Sequence, residues 1–310
     1  MITIYQKTRL SPSLKKIKAP DRKGVWISLT SPTEKEISWL SSKLLIPPEF
    51  MASALDPDER PHYDTEGIFK IFTLRIPILD EKKSFKTLPL TIIIAPQQII
   101  TICLEENEIL EDFEKEKVKE FYTSKKTRFL LQVFHRINLY YEKYLDVLEK
   151  EINLIENKLL KSFRNEEIIL LLNIQRSLVF FNTATRGNGN VLEQLLKGEV
   201  LKLFEEDKNL LESIVFESKQ VTETVEIFNH LLTNTMDAYA SIISNNLNIV
   251  MKFLTSITII LSIPTIIGSL YGMNLGLPLA NNPYAFWLIV SLSLFTMILL
   301  ATIFIKLKYL

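Results

Sequence analysis

The chain of 310 residues has one cysteine, Cys103, and three histidines, so no disulfide can form within it and no zinc enzyme has the ligands it would need. No Gly-x-x-x-x-Gly-Lys loop is present to hold a nucleotide. The opening Met1-Ile2-Thr3-Ile4-Tyr5-Gln6-Lys7 has no apolar core of signal-peptide length, and with the lone cysteine it argues for a reduced compartment. There is no repeat and no low-complexity linker. Nor is there a net charge: 36 basic residues face 36 acidic ones, and setting aside Lys306 and Lys308 leaves 34 basic residues, a slight acidity that offers nothing to nucleic acid and something to cations.

The most informative absence is near the C-terminus. From Phe253 to Ile305 there is no Asp, Glu, Lys or Arg. Two apolar runs, one closing at Tyr271 and one from Tyr284 to Ile305, approach the roughly 20 residues needed to cross about 30 Å of hydrocarbon. The flanking charges are Lys252, Lys306 and Lys308, whereas the intervening loop has none, so the positive-inside rule predicts both ends cytoplasmic and Asn274 at the outer mouth.

The first run is not uniformly apolar. At a 3.5-residue spacing from Asp237 the residues are Ser241, Ser244, Asn248, Met251, Thr255, Thr258, Ser262, Thr265, Ser269 and Gly272, nearly all small or polar. A hydroxyl-and-amide stripe in an apolar wall must face a polar partner helix or a column of water and ions. One stripe cannot enclose such a column, so several copies around an axis are predicted. Thr258, Thr265, Asn248 and Ser269 would be polar steps, Met251 with Leu254 an apolar constriction, and Asp237 an acidic ring at the inner end. Pro264 removes one backbone bond to the Ile260 carbonyl, which is read as shape.

Tyr271-Gly272-Met273-Asn274, closing the first of two C-terminal spans with a basic tail after the second, resembles the CorA-type magnesium transporters. Asp237-Ala238-Tyr239, the block Asn248-Ile249-Val250-Met251-Lys252 and Pro264-Thr265 resemble that family's pore helix. The resemblance implies a funnel-shaped homopentamer in the inner or plasma membrane, no enzymatic turnover, no cofactor, and Mg2+ as the transported ion. Gly272, Met273 and Asn274 would form the selectivity mouth, with Asn274 accepting hydrogen bonds from a hydrated ion that is reluctant to shed its waters, and Gly272 allowing a backbone turn there. Zn2+, Co2+ or Ni2+ transport in the same fold, or a membrane-anchored scaffold, are the alternatives. Two positions depart from the family. Ser53 and Ser213 stand where its regulatory carboxylates are expected, which leaves Glu49, Asp56, Glu212 or Glu217 for any Mg2+ sensing between neighbouring copies. The outer loop, Leu275 to Pro283, has no acid.

The rest of the chain reads as an α+β domain with a small mixed sheet, over 1–122, followed by a helical hairpin over 123–198. Gly24 to Thr30 is a predicted strand. Ser31, as N-cap with Glu34 in a capping box, should start a helix that Pro47-Pro48 ends, before a short helix from Glu49 to Leu55. Asp56, Asp58 and Glu59 between prolines are a solvated turn. Ile68 to Ile78, Leu88 to Ala95 and Ile99 to Leu104 form a predicted meander. Helices follow over Glu108 to Lys119, Lys125 to Ser162 and Glu166 to Leu196, with Gly187-Asn188-Gly189 a local weakness. One helix from about Val200 to Leu270, within a stalk-and-span segment 199–271, would be roughly 100 Å long; Val200, Phe204, Leu211, Ile214, Val221, Val225, Phe228 and Leu232 should be its packed face. The outer loop spans 272–283, the second span 284–305 and the basic tail 306–310.

Overall fold

The computed structural model describes residues 1–80, 84–159, 165–198, 201, 203–274, 276–278 and 282–309. These form two compact units, Met1–Asn234 and Thr235–Leu310.

The first unit is built on a seven-stranded sheet of order β2-β1-β3-β7-β6-β5-β4. The strands are β1 (Ile2–Thr8), β2 (Ser11–Lys16), β3 (Val25–Thr30), β4 (His62–Glu66), β5 (Phe69–Leu79), β6 (Phe85–Ile94) and β7 (Gln98–Cys103). β5, β6 and β7 make the predicted antiparallel meander, and β7 joins β3 in parallel. The mixed sheet is therefore as read, but larger. β2 and β4, the outermost strands, carry no apolar alternation because neither of their faces is buried, and Pro12 and the lysines of β2 guard its open edge. β1 alternates Ile2 and Ile4 with Thr3 and Tyr5, the period-two pattern of a strand.

Both faces of the sheet are covered, which is why its inner strands read as nearly continuous apolar runs. Val25, Ile27 and Leu29 point to one face and pack with Ile37 and Leu40 of α1 (Glu34–Leu44) and Met51 of α2 (Pro48–Ser53). The alternate residue Trp26 points to the other face. There it stacks on Tyr5 at 4.9 Å, meets Phe129 at 5.4 Å, and donates its indole N–H to Thr101 Oγ1 at 2.9 Å. On that side lie α3 (Glu108–Glu114), α4 (Lys126–Leu159) and α5 (Asn165–Leu196).

Some boundaries differ from expectation. The N-cap of α1 is Thr33, not Ser31: the Thr33 hydroxyl accepts from the Glu36 amide, and Glu36 accepts from the Thr33 amide at 2.9 Å. Ser31 cannot serve because it is still leaving β3, with φ 45° and its hydroxyl donating to Leu104 O at 3.0 Å. α2 starts at Pro48, and α3 ends at Glu114 rather than Lys119. The expected end of α4 at Ser162 lies outside the described residues.

Gly187-Asn188-Gly189 does not weaken α5, which runs through it unbroken. A Cβ on Gly187 would sit 2.7 Å from Pro61 Cγ, so the glycine lets helix and loop touch. Asn188, only 2% exposed, accepts from the Arg75 amide at 2.9 Å and donates to the Arg75 carbonyl at 2.8 Å. β4 has already ended opposite Thr73, so the Asn188 amide stands in for the missing strand.

α6 (Glu205–Tyr271) is a single helix of 67 residues that begins in the first unit and ends in the second. It starts after the expected Val200, which lies outside the described residues, and Phe204 precedes it, 73% exposed. Leu211, Ile214, Val221, Val225 and Leu232 are buried as the heptad spacing predicts, and Phe228 is half-buried.

The second unit holds the rest of α6 and α7 (Ala285–Lys306). Among the described residues three helices are long and apolar enough to cross a membrane: 166–196 within α5, α6 and α7. The α5 window is 39% buried against 6% for the other two, because α5 lies on the sheet; it is a domain helix.

Candidate functional site

In the second unit each helix has one covered stripe. On α6 it is Ser256, Ile257, Ile260, Ile263, Pro264 and Ile267; on α7 it is Ile289, Val290, Ser293, Thr296, Met297, Leu300, Ala301 and Phe304. Ser256 is 1% exposed and Ser293 9%, small side chains of the kind that let apolar helices approach closely. Lys252 Nζ lies 5.5 Å from the centre of the Tyr309 ring, bringing the basic start of one run beside the basic end of the other. The two runs therefore form a hairpin with Lys252, Lys306 and Lys308 at one end and the uncharged loop at the other.

The polar residues lie on the opposite side of α6. An ideal helix places Asp237, Asn248, Met251, Leu254, Thr258, Ser262, Thr265 and Ser269 within about 120° of arc, centred roughly 180° from the covered stripe. All are exposed in the single chain except Ser262, which is half-buried. Where the hydroxyls go matters for what this face offers. Ser241 donates to Asp237 O at 3.0 Å, Thr258 to Leu254 O at 2.8 Å, Ser262 to Ile259 O at 2.8 Å and Thr265 to Leu261 O at 3.3 Å. Each hydroxyl proton is spent on the helix itself, which leaves the oxygen lone pairs outward. These four hydroxyls present acceptor oxygens on the face, suited to water whose hydrogens point outward from a cation. Pro264 does not break the helix.

α6 ends in a tightened turn. The Gly272 amide is shared between Gly268 O at 3.0 Å and Ser269 O at 3.2 Å, and the Met273 amide reaches Leu270 O at 3.3 Å. Gly272 does not take up a left-handed conformation, and a Cβ there would meet Gly268 O at 3.3 Å and Ser269 O at 3.5 Å, so the backbone freedom expected of it is not used in this structure. Met273 and Asn274 follow, both exposed. Of the outer loop, 275 and 279–281 lie outside the described residues.

The first unit contains no metal constellation among its described residues: no three His, Cys, Asp or Glu side chains converge on one point. Of the residues considered for sensing, Glu49, Asp56, Glu212 and Ser213 are exposed, and Ser53 is half-buried at the end of α2. Glu217 is engaged by His135 Nδ1 at 2.8 Å. Burial pushes the neighbouring Glu142 carboxyl up, and the negative charges of Glu217 and Asp146 push it further. At Asp112 burial works against the carboxylate but is outweighed by Lys117, 2.8 Å away, by the Tyr140 hydroxyl at 3.0 Å and by Arg136, so the carboxyl is held below its ordinary value. Through Tyr140 and Arg136, both on α4, the buried Asp112 carboxylate clamps α3 to α4.

A mixed-sheet domain and an apolar two-helix hairpin, connected through one helix with an acceptor-lined face, define a membrane transporter with a large extramembrane domain. The family model of the CorA-like Mg2+ transporter proteins matches residues 21–306, and the chain belongs to that family. The cobalt/magnesium transport protein CorA of Methanocaldococcus jannaschii is 29% identical over 95% of this chain and 94% of its own length. The complete structure of the CorA magnesium transporter from the same organism superposes with a TM-score of 0.86 at 26% identity, covering 98% of this chain and 97% of that one. The full-length CmaX structure, 15% identical, shares the fold with a TM-score of 0.75 over 97% of both chains. The protein is accordingly an ion transporter of a membrane, not an enzyme.

Proposed function

We propose that this chain assembles as a homopentamer in the inner or plasma membrane and conducts Mg2+ through a pore lined by the acceptor face of α6. The observation that carries this reading is the position of that face, turned away from the stripe that α7 covers. A polar stripe needed only for packing within the chain would lie under α7; this one is left for other copies and for water. The uncharged loop and the Lys252, Lys306 and Lys308 cluster support a topology with both termini cytoplasmic.

Mg2+ binds its waters tightly and favours octahedral oxygen. A ring of Asn274 side chains at the outer mouth selects the hydrated ion by accepting hydrogen bonds from its waters, and Gly272 and Met273 complete that mouth. Asn248, Thr258, Ser262, Thr265 and Ser269 continue the acceptor row, and a ring of Asp237 concentrates divalent cations at the inner end. Met251 and Leu254 form the apolar gate, where water is excluded in the closed state. Co2+ is the second reading, supported by the name of the M. jannaschii relative. Its weakness is that Met251 is the only soft ligand on the pore face within the membrane span. Competition between Mg2+, Co2+ and Zn2+ for flux into liposomes containing the purified protein decides between them. Flux of Mg2+ that excess Co2+ and Zn2+ leave intact is the expected result; no divalent flux from well-folded oligomers would leave only a scaffold.

A further inference from the structure

We infer that the lysine end of the hairpin binds the phosphate headgroup of an anionic phospholipid, through Lys252 of α6 with Lys308 and Tyr309 just beyond α7. The site requires only that the second unit lie in a bilayer, whichever ion crosses it. Headgroup phosphates then stand where the apolar runs end.

Charge in the second unit is confined to this end. Between Thr235 and Leu310 the basic side chains are Lys252, Lys306 and Lys308, and the one acidic side chain, Asp237, is about four turns before Lys252 along α6. All three lysines are exposed, and among the described residues none of them forms an ion pair. The opposite end carries exposed aromatic residues instead, Tyr284, Phe286 and Trp287. Three cations without a counter-charge, set where two apolar helices leave the hydrocarbon, match the anionic surface of a lipid leaflet.

The local geometry gathers these groups into a defined site. Past the end of α7 the Leu307 amide donates to Ile303 O at 2.9 Å, the Lys308 amide to Ile305 O at 3.1 Å and the Tyr309 amide to Phe304 O at 2.9 Å. Lys308 closes this turn in the left-handed conformation, φ 58°, at the position glycine usually fills. The chain is thereby folded back: the Tyr309 ring stacks on Phe304 at 6.0 Å, and Lys252 Nζ lies 5.5 Å from its centre. Lys252 comes from one helix and Lys308, next to the ring in sequence, from the end of the other. Ammonium groups only donate hydrogen bonds and the oxygens of a phosphodiester only accept them, with the Tyr309 hydroxyl as a further donor.

The side of the helix decides between lipid and pore. Lys252 precedes Ser256 by one turn and so lies on the α7 side of α6, away from the acceptor face. There its charge can meet a headgroup without opposing a cation on the acceptor face.

The test is native mass spectrometry of the full-length protein released from nanodiscs of phosphatidylcholine with a minor fraction of phosphatidylglycerol. Preferential, saturable retention of phosphatidylglycerol is expected, undiminished by inorganic phosphate at matched ionic strength. Lys252→Gln and Lys308→Gln should each weaken it about fivefold, the contribution of one lysine beside an anionic leaflet; Lys219→Gln, in the first unit, should leave it unchanged. Lys308→Gln combined with Leu307→Lys keeps the net charge but displaces it by one residue, and should weaken retention as much as Lys308→Gln alone. Equal retention of the two lipids would leave the lysines to carboxylates of neighbouring copies and overturn the inference. So would displacement by inorganic phosphate, or full retention in the charge-displaced variant, which would mean diffuse surface attraction only.

Discussion

Replacing Asn188 by alanine isolates one device on which the first unit depends. Beyond Thr73 the edge strand β4 no longer pairs with β5, so the Arg75 amide and carbonyl on that side have no ladder partner. Asn188 supplies both bonds, at 2.9 and 2.8 Å, and the Tyr141 hydroxyl gives the carbonyl a second donor at 3.0 Å. On the other side Arg75 lies opposite Pro89, which has no N–H to offer. In Asn188→Ala the carbonyl keeps Tyr141 but the amide is stranded. A buried unpaired donor costs about 1–3 kcal/mol, and the better helix propensity of alanine returns about 0.5 kcal/mol. A net loss of about 1.5 kcal/mol in a unit of this size lowers its midpoint by about 3–6 °C. The assay is thermal unfolding of the full protein in detergent, with hydrogen exchange at the Arg75 amide as the local readout. Faster exchange at Arg75, a lowered midpoint and unchanged Mg2+ flux well below it are expected. If exchange at Arg75 were unaltered, the amide would have another partner and the reasoning about the strand substitute would fail.

Three further predictions concern the pore and the α3–α4 clamp. Asn274→Ala is expected to abolish divalent flux into liposomes while leaving the oligomer intact by size-exclusion; retained Mg2+ flux would remove Asn274 from selectivity. Met251→Ser is expected to raise leak when internal Mg2+ is high, because a hydroxyl keeps the constriction wet; an unaltered closed state would place the gate elsewhere. For Asp112, whose folded carboxyl lies below its ordinary value, the stabilisation is fully present above the unfolded pKa of about 4 and disappears as pH falls through the lower folded value. Asp112→Asn should therefore destabilise the first unit at neutral pH and much less in acid, and an equal loss at both pH values would show that charge is not what Asp112 contributes.

The reach of the sequence differs from element to element. The strands of the meander and the buried positions Leu211, Ile214, Val221, Val225 and Leu232 follow from apolar periodicity, a property of neighbours along the chain. The outermost strands β2 and β4 have no such pattern, since neither of their faces is buried. Ser31 looked like a cap because its residue type and spacing fit; the left-handed turn it must make on leaving β3 is set by the sheet, and Thr33 takes the role instead. Gly187 and Asn188 read as a weak point because helix propensity counts only the helix, whereas their value lies in Pro61 and Arg75, more than a hundred residues away.

The order of residues along the chain by itself determined that this protein has two apolar C-terminal runs, a polar stripe in the first of them and the Gly272-Met273-Asn274 ending, because hydropathy, charge and helical phase are all local quantities. Only the tertiary structure decided which side of α6 is covered. That depends on where α7 lies, and no count of residues along one helix reveals it.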